Sequence, residues 1–483
     1  MKLTTKLEKN KEIIKEVIPI KKSFDVIGRE FSIGDKDAFL VFIDGFAKDD
    51  IMLWILEDLQ DLENDCVNVN SLTEILRKKI AYIEVDTFTD LSQLQKSVLS
   101  GAIALVIDDE QEGIIIDARQ YPVRGPEEPD LEKVTRGSRD GLVETIIFNT
   151  ALIRRRIRDP KLIFEMKSVG ERSKTDVVVS YIDDLVDKDL LKDINDKIDE
   201  INVPSLIMAE KTLEELLIKK KWFNPLPQVR FTERPDVVAA HLLEGHIAVV
   251  VDTSPSVMLL PTTIFHFTQH AEDYYQNPLV GTHIRWVRFL GMISALLLPP
   301  LWLLLVYNRE LLPPYLQFIG PKEASIIPLF LQFILLEFGL DLLRASSIHT
   351  PSTLSTSLGI IGGLVLSEMA IKVGFFVPET ILYMALAGIG TFSIPSAEFS
   401  MAIRIFRLLL LILTGLFKVY GFVIGILIIS IIILTTKSFD SGKGYTWPLI
   451  PFDKKALLNI LFRNPIQQVT DKKNNLDLFL IKD

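Results

Sequence analysis

One cysteine, Cys66, occurs in 483 residues. No intrachain disulfide can form, the multi-cysteine zinc modules are excluded, and a reducing compartment such as the cytoplasm is expected. The first twenty residues, MKLTTKLEKNKEIIKEVIPI, lack an apolar run of signal-peptide length, so no cleaved secretion signal is expected. Basic residues are outnumbered, 53 Lys and Arg against 63 Asp and Glu, and the net charge of −10 argues against a nucleic-acid partner. Walker A, GxGxxG and GxSxG patterns are missing, which removes every sequence argument for ATP-driven pumping. His266 and His270 are four apart, but HisPheThrGlnHis lacks the Glu of HExxH and no third ligand is evident. An amphipathic helix next to a membrane accounts for them better. No catalytic residue, metal or cofactor is assigned.

What is present is segregation. A mean hydropathy of +0.29 with 24% charged residues requires greasy and charged stretches to be separated along the chain. The apolar part runs from Trp286 to Thr436 in blocks, each approaching the roughly 20 residues that cross a bilayer as a helix. Backbone polar groups in hydrocarbon must be satisfied internally, so a bundle of membrane helices is expected. Spans are placed at 286–307, kinked by Pro299 and Pro300, then at 325–343, 358–377 and 381–395. The block 405–436 would be roughly 48 Å long as one helix at 1.5 Å per residue, too long for a roughly 30 Å core. Lys418, Tyr420 and Gly421 offer a break there, giving six spans, with five as the alternative; a re-entrant hairpin or one long helix also fits. With six, Arg285, Arg288, Arg344, Arg404, Arg407, Lys437 and Lys443 lie near inner ends, as the positive-inside rule asks.

The preceding region reads as α/β or α+β in two subdomains. Residues 1–22 suggest an amphipathic or frayed segment. Residues 23–118 give strands FDVIGREFSI and DAFLVFID, a helix IMLWILEDLQDL, a helix near 91–99, and a hairpin from AIALVID to GIIIDAR. Residues 119–141 form a linker, since three prolines and a glycine force turns and extended chain. Residues 142–282 form a second subdomain: a helix from Leu142 to Arg156, strands near 162–167 and 176–181, helices near 189–201, 211–220 and 235–243, and two strands from HIAVVVD onward. Alternating helices and strands predict a mixed sheet with helices packed on it. The transmembrane region is bounded at 283–437, and 438–483 is a cytoplasmic tail.

Five separated segments carry a resemblance: AspAlaArgGlnTyrProValArgGlyProGluGluProAsp (117–130), ArgGlySerArgAspGly (136–141), GlyGluArgSerLysThrAsp (170–176), ThrGluArgProAsp (232–236) and HisAlaGluAspTyrTyr (270–275). In this order they resemble the A-subunit, or GerA-type, family of spore germination proteins over nearly the whole chain. AspThrSerProSer (252–256) and IleHisThrPro (348–351) look most like its stage V AF branch. The resemblance implies an integral protein of the spore inner membrane, with a bipartite cytoplasmic N-terminal region and a helical membrane domain. It also implies homo-oligomeric rings that release ions during germination, beside a smaller transporter-like membrane subunit and other germination proteins. It assigns no catalytic residue.

Charges inside the apolar blocks are the most informative residues. Glu337, Asp341 and Arg344 share one helix face, and Glu368 and Lys372 are four apart. A charge at mid-membrane costs about 2.5 to 3.5 kcal/mol on insertion scales, so such groups face a bundle interior, a partner or water. One reading is an ion pair that fixes helix packing; the other is a carboxylate-lined cation path. Gly362 and Ser367, among other small residues of the same block, permit close helix approach or a narrow pore lining. Around the proline-rich loop, Arg119, Tyr121, Arg124, Glu127, Glu128, Arg136 and Arg139 suit docking between subdomains or subunits, since arginine forks bind carboxylates. Glu233 and Asp236 suit a helix N-terminus. The expected function is a subunit of an oligomeric cation channel, with a non-conducting receptor or scaffold subunit, or a secondary transporter component, as alternatives.

Overall fold

The computed structural model describes residues 2–34, 36–46, 49–60, 85–119, 132–218, 221–349, 368, 370–437, 439, 444–465, 470–471 and 475–476. Two compact units divide the chain: residues 1–219, 231–261 and 465–483 in one, residues 220–230 and 262–464 in the other.

The first unit holds two five-stranded sheets. In the first, β1 (Val26–Ile33), β2 (Lys36–Ile43), β3 (Val85–Phe88), β4 (Ile103–Ile107) and β5 (Gly113–Ile116) lie in the order β1-β2-β4-β5-β3. Every neighbouring pair is antiparallel. The expected mixed sheet is thus an antiparallel one, and the region is α+β. β3 and β4 flank β5 and run in the same direction, joined by the helix Leu91–Leu99: a split βαβ unit whose gap the β4–β5 hairpin fills. Side-chain alternation explains why AIALVID is apolar throughout. Ala104 and Val106 point to a core with the helices Leu7–Val17 and Leu91–Leu99, while Ile103, Leu105 and Ile107 join Leu56 and Leu59 of the helix Asp49–Gln60 on the other face. A sheet covered on both faces has no polar side to show.

The second sheet repeats this plan. β6 (Leu162–Val169), β7 (Thr175–Ile182), β8 (Arg230–Thr232), β9 (Ile247–Val251) and β10 (Val257–Leu260) take the order β6-β7-β9-β10-β8. Each sheet therefore opens with a hairpin, places an edge strand next in the chain and returns through a helix to a second hairpin; two helices, Lys188–Asp199 and Ala209–Leu217, precede the edge strand of the second sheet. The helix expected from Leu142 begins at Ile146. Asn149 explains the delay: its amide donates to the Val143 carbonyl at 2.6 Å and accepts the Val143 N–H at 2.8 Å, while Leu142 N–H bonds the Glu233 carbonyl at 2.8 Å. These bonds hold the four preceding residues outside the helix.

The second unit is helical: Pro278–Tyr307, Leu329–His349, Pro378–Phe392, Ala397–Thr435 and Lys454–Leu461. Among the described residues, two of these, Pro278–Tyr307 and Ala397–Thr435, are long and apolar enough to cross a membrane. The second is not straight. Lys418 has φ 52° and ψ −126°, and the chain doubles back there. A side chain on Gly421 would overlap the Leu413 carbonyl, one on Gly425 would come within 2.6 Å of Leu410, and Ile429 shares a core with Phe406. Partner numbers fall as their mates rise, which is the signature of two antiparallel arms, 397–417 and 419–435. Gly421 and Gly425 are the glycines this close approach requires. The block expected at 358–377 lies outside the described residues up to 367 and at 369. His266 falls in a 3-10 turn, Ile264–Thr268, capped by Thr263; the amphipathic helix expected there is not formed.

Candidate functional site

Inside the helical unit, two helices each contribute two charges. Leu329–His349 carries Glu337 and Asp341 one turn apart, and the first arm of the hairpin carries Arg404 and Arg407 three apart. Arg407 is fully buried and its fork grips Glu337, Nε donating to Oε2 at 2.9 Å and Nη2 to Oε1 at 2.7 Å. Arg404 stands 3.6 Å from Glu337 and pairs with Asp341. Two carboxylates face two guanidiniums, so the cluster is neutral.

A proline completes the arrangement. In Pro278–Tyr307 the carbonyl of Ala295 would ordinarily accept from residue 299, but Pro299 has no N–H. Arg407 Nη1 fills the gap, donating to the Ala295 carbonyl at 2.8 Å and to Thr391 Oγ1 at 3.2 Å. One guanidinium thereby ties together four helical segments. Gln332, also fully buried, works similarly: its amide donates to Ser325 Oγ and the Ile327 carbonyl, both at 2.8 Å, and accepts from Val377 N–H and Thr380 Oγ1. Where Pro278–Tyr307 crosses Pro378–Phe392, a Cβ on Gly390 would overlap the Gly291 carbonyl, so the helices meet backbone to backbone.

Arg344, placed by its spacing on the same helix face as Glu337 and Asp341, reaches Met401 Sδ at 2.8 Å. Arg404 and Arg407, expected as flanking charges near inner ends, are partners of those carboxylates. Spacing along one helix could not have named them, although an arginine pair within so apolar a run was a signal. Glu368 and Lys372 do pair, at 3.5 Å, but stand well exposed, at 65% and 69%. Gly362 and Ser367 lie outside the described residues.

At the foot of the unit Asp273, from the HisAlaGluAspTyrTyr segment, is fully buried between two arginines of the first long helix. Arg288 takes both its oxygens at 2.8 Å and Arg285 one at 3.2 Å. Arg285 also donates to the Asn459 and Ile460 carbonyls, fixing the helix Lys454–Leu461 to that foot.

Of the residues expected to dock subdomains or subunits, Tyr121, Arg124, Glu127 and Glu128 lie outside the described residues. Arg119 pairs with Asp117, while Arg136 and Arg139 are exposed. The same stretch is anchored by a residue the sequence reading passed over. Arg234, buried in ThrGluArgProAsp, donates to the Glu132 carbonyl at 3.0 Å and the Ser138 carbonyl at 2.9 Å, and pairs with Asp236 at 2.8 Å. Burial alone would raise the Asp140 pKa, but hydrogen bonds from Arg156 and Ser138 outweigh it and hold the carboxyl below its ordinary value. The two sheets are clasped by Asp25 and Arg154, both buried, with bonds of 2.8 and 3.0 Å; Ser23 and the face of Phe164 complete the enclosure.

Two repeated α+β sheets, then an apolar helical unit with a paired charge cluster, define a class of protein in which a folded polar region is followed in the chain by helices, two of them, among the described residues, long and apolar enough to cross a membrane. The chain belongs to the GerA family: the model described as Bacillus/Clostridium GerA spore germination protein matches residues 12–475. It is 45% identical over 455 residues to stage V sporulation protein AF of Bacillus subtilis, covering 94% of this chain and 92% of that one. It is 31% identical to spore germination protein GerLA of Bacillus cereus, with 90% and 89% covered, and 30% identical to the uncharacterized membrane protein YfkQ of Bacillus subtilis, with 91% and 86% covered. Among solved structures, the N-terminal domain of the A subunit of the Bacillus megaterium spore germinant receptor GerK3 is similar at 27% identity and a TM-score of 0.41, covering 54% of this chain and 96% of that one.

Proposed function

We propose that this chain is a membrane subunit of a spore germination complex, and that copies of it form a ring that releases cations across the spore inner membrane. The N-terminal region lies in the cytoplasm and the chain crosses six times. The reversal at Lys418 supports the even count, because arms of 21 and 17 residues span roughly 31 and 26 Å at 1.5 Å per residue. Partners are further copies of the chain, a smaller transporter-like membrane subunit and other germination proteins; no cofactor or nucleic acid is involved.

One observation carries the reading: Glu368 and Lys372 are exposed charges beside an apolar bundle. At mid-membrane a charge would cost about 2.5 to 3.5 kcal/mol, and at this helix end the pair is read as facing a neighbouring subunit or water. Repeated around a ring, Glu368 supplies the carboxylates that favour cations. In reconstituted complexes, Glu368→Gln with Lys372→Met is expected to change flux or ion selectivity. Unchanged flux in well-assembled complexes would leave the pair a structural role, and monomers by cross-linking in intact membranes would overturn the ring. A non-conducting scaffold is favoured by a different observation, the closed pairing of Glu337 and Arg407; the absence of any conductance from the purified protein, with or without its partner, would select it.

A further inference from the structure

The foot of the helical unit has a surface that cation release does not use. Trp222 is 96% exposed and stands edge-on to Phe223, beside Lys221. The Asn224 side chain donates to Thr436 Oγ1 at 2.9 Å, which places this aromatic pair at the end of the return arm. At the same foot, Trp286 Nε1 donates to the Leu461 carbonyl at 2.9 Å and its ring meets Phe462 edge-on. The helix Lys454–Leu461, capped by Asp453, turns Ala456 and Ile460 inward. Leu458 and Phe462 face outward at a spacing of four from Lys454, and just before the helix Ile450 and Phe452 stand out, the latter 69% exposed.

These groups form a band of exposed aromatic and aliphatic side chains with lysines. Above it the flank of Pro278–Tyr307 becomes purely aliphatic, with Leu290 and Ile293 exposed. Tryptophan and tyrosine concentrate where a membrane protein passes from headgroups to hydrocarbon, and lysines there reach out to the headgroup layer. Among the described residues of this surface, Lys221, Lys437, Lys454 and Lys455 are exposed, and Asp453, beside Lys454, is committed to its helix cap. An anionic surface complements that pattern.

We propose that residues 221–223 and 449–462 form an interfacial collar that lies in the headgroup layer of a bilayer rich in acidic lipids. The proposal rests on the membrane-spanning reading above and adds which surface meets which lipid chemistry. The C-terminal segment is then a lipid-binding element packed beside the first span, not a free tail.

The full chain in a Cys66→Ser background, carrying one fluorescent cysteine label at position 222, 452, 290 or 192, tests this in nanodiscs of phosphatidylcholine alone or mixed with phosphatidylglycerol. Labels at 222 and 452 are expected to lose fluorescence to a nitroxide near the headgroups more than to one at the chain end, and more so in the acidic bilayer. Lys454→Glu with Lys455→Glu should abolish that lipid dependence. Quenching of 222 and 452 by aqueous iodide as freely as of 192, with 290 still quenched by the deep nitroxide, overturns the collar and leaves the spans standing. Protection of 222 and 452 from both iodide and lipid nitroxides means a protein covers them and equally overturns it. If 290 is insensitive to the deep nitroxide, the membrane reading fails and takes the collar with it.

Discussion

Replacing Arg407 by methionine isolates what the buried cluster does. The substitution keeps an apolar stem of similar reach but leaves Glu337, 3% exposed, without the fork that holds both its oxygens. Breaking a buried pair from one side typically costs 3 to 5 kcal/mol. Here the lower end, about 3 kcal/mol, applies, because Arg404 remains 3.6 Å away and shares its charge between Glu337 and Asp341. In a helical unit of this size each kcal/mol moves the melting temperature by roughly 2 to 4 °C, so Arg407→Met should melt roughly 6 to 12 °C lower in detergent. Adding Glu337→Leu removes the stranded carboxylate. The double variant should recover about 1 kcal/mol, a third of the loss, the remaining roughly 2 kcal/mol reflecting the bonds to Ala295 and Thr391, each worth about 1 kcal/mol. Thermal melting of the two single variants and the double closes the cycle. A loss under about 1 kcal/mol for Arg407→Met, or a double variant as unstable as the sum of its parts, would refute the clasp.

Gly390→Ala should destabilise the helical unit by about 1 to 3 kcal/mol, because its Cβ meets the Gly291 carbonyl. Gly339→Ala, with nothing within 4 Å, should be neutral or stabilising by up to about 1 kcal/mol, and melting temperatures of the pair check the contrast. Arg154→Met strands the buried Asp25 carboxylate and should cost about 3 to 5 kcal/mol, read as earlier cleavage between the two sheets in limited proteolysis of the full chain. Asp140 has a lowered folded-state pKa, so its contribution is present above the unfolded value of about 3.9 and is lost as pH falls through the folded one. The stability difference between wild type and Asp140→Asn should therefore be flat near neutrality and shrink below about pH 4, as measured by urea unfolding across pH.

Much of the fold is legible because each strand's environment is written in its alternation. The continuous apolar runs at 103–107 and 247–251 announce strands covered on both faces, and both are central in their sheets. The repeat leaves a trace, since SerGlyAlaIleAlaLeuValIleAsp (100–108) and GluGlyHisIleAlaValValValAsp (244–252) correspond, but the edge strands β3 and β8, with only four and three residues, carry too little pattern to extend it. The site divides in the same way. Pro299 announces a kink, and with it a carbonyl at 295 that has lost its donor. The residue that fills it lies 112 positions along the chain, beyond any periodicity. Glu337 finds its partner 70 positions away, when spacing offered Arg344 at seven.

The reversal at Lys418 shows the limit from another side. Positive φ ordinarily calls for glycine, and the sequence puts a lysine there. What makes the turn recognisable in retrospect is Gly421 and Gly425 on the return arm, which let it close on Leu413 and Leu410. A GxxxG spacing does not say which helix it packs on; here the partner is the arm immediately before it. The same logic separates the two charge groups of the helical unit. Glu337 and Arg407 are buried and neutralise each other within a single chain, with Arg404 beside them pairing with the half-exposed Asp341. Glu368 and Lys372 are paired but exposed, and in the proposed ring they would face a neighbouring subunit or water. A variant that disturbs the first group should therefore change how well one subunit holds together, and one that disturbs the second should change what subunits do together. Melting temperature and ion flux separate the two effects.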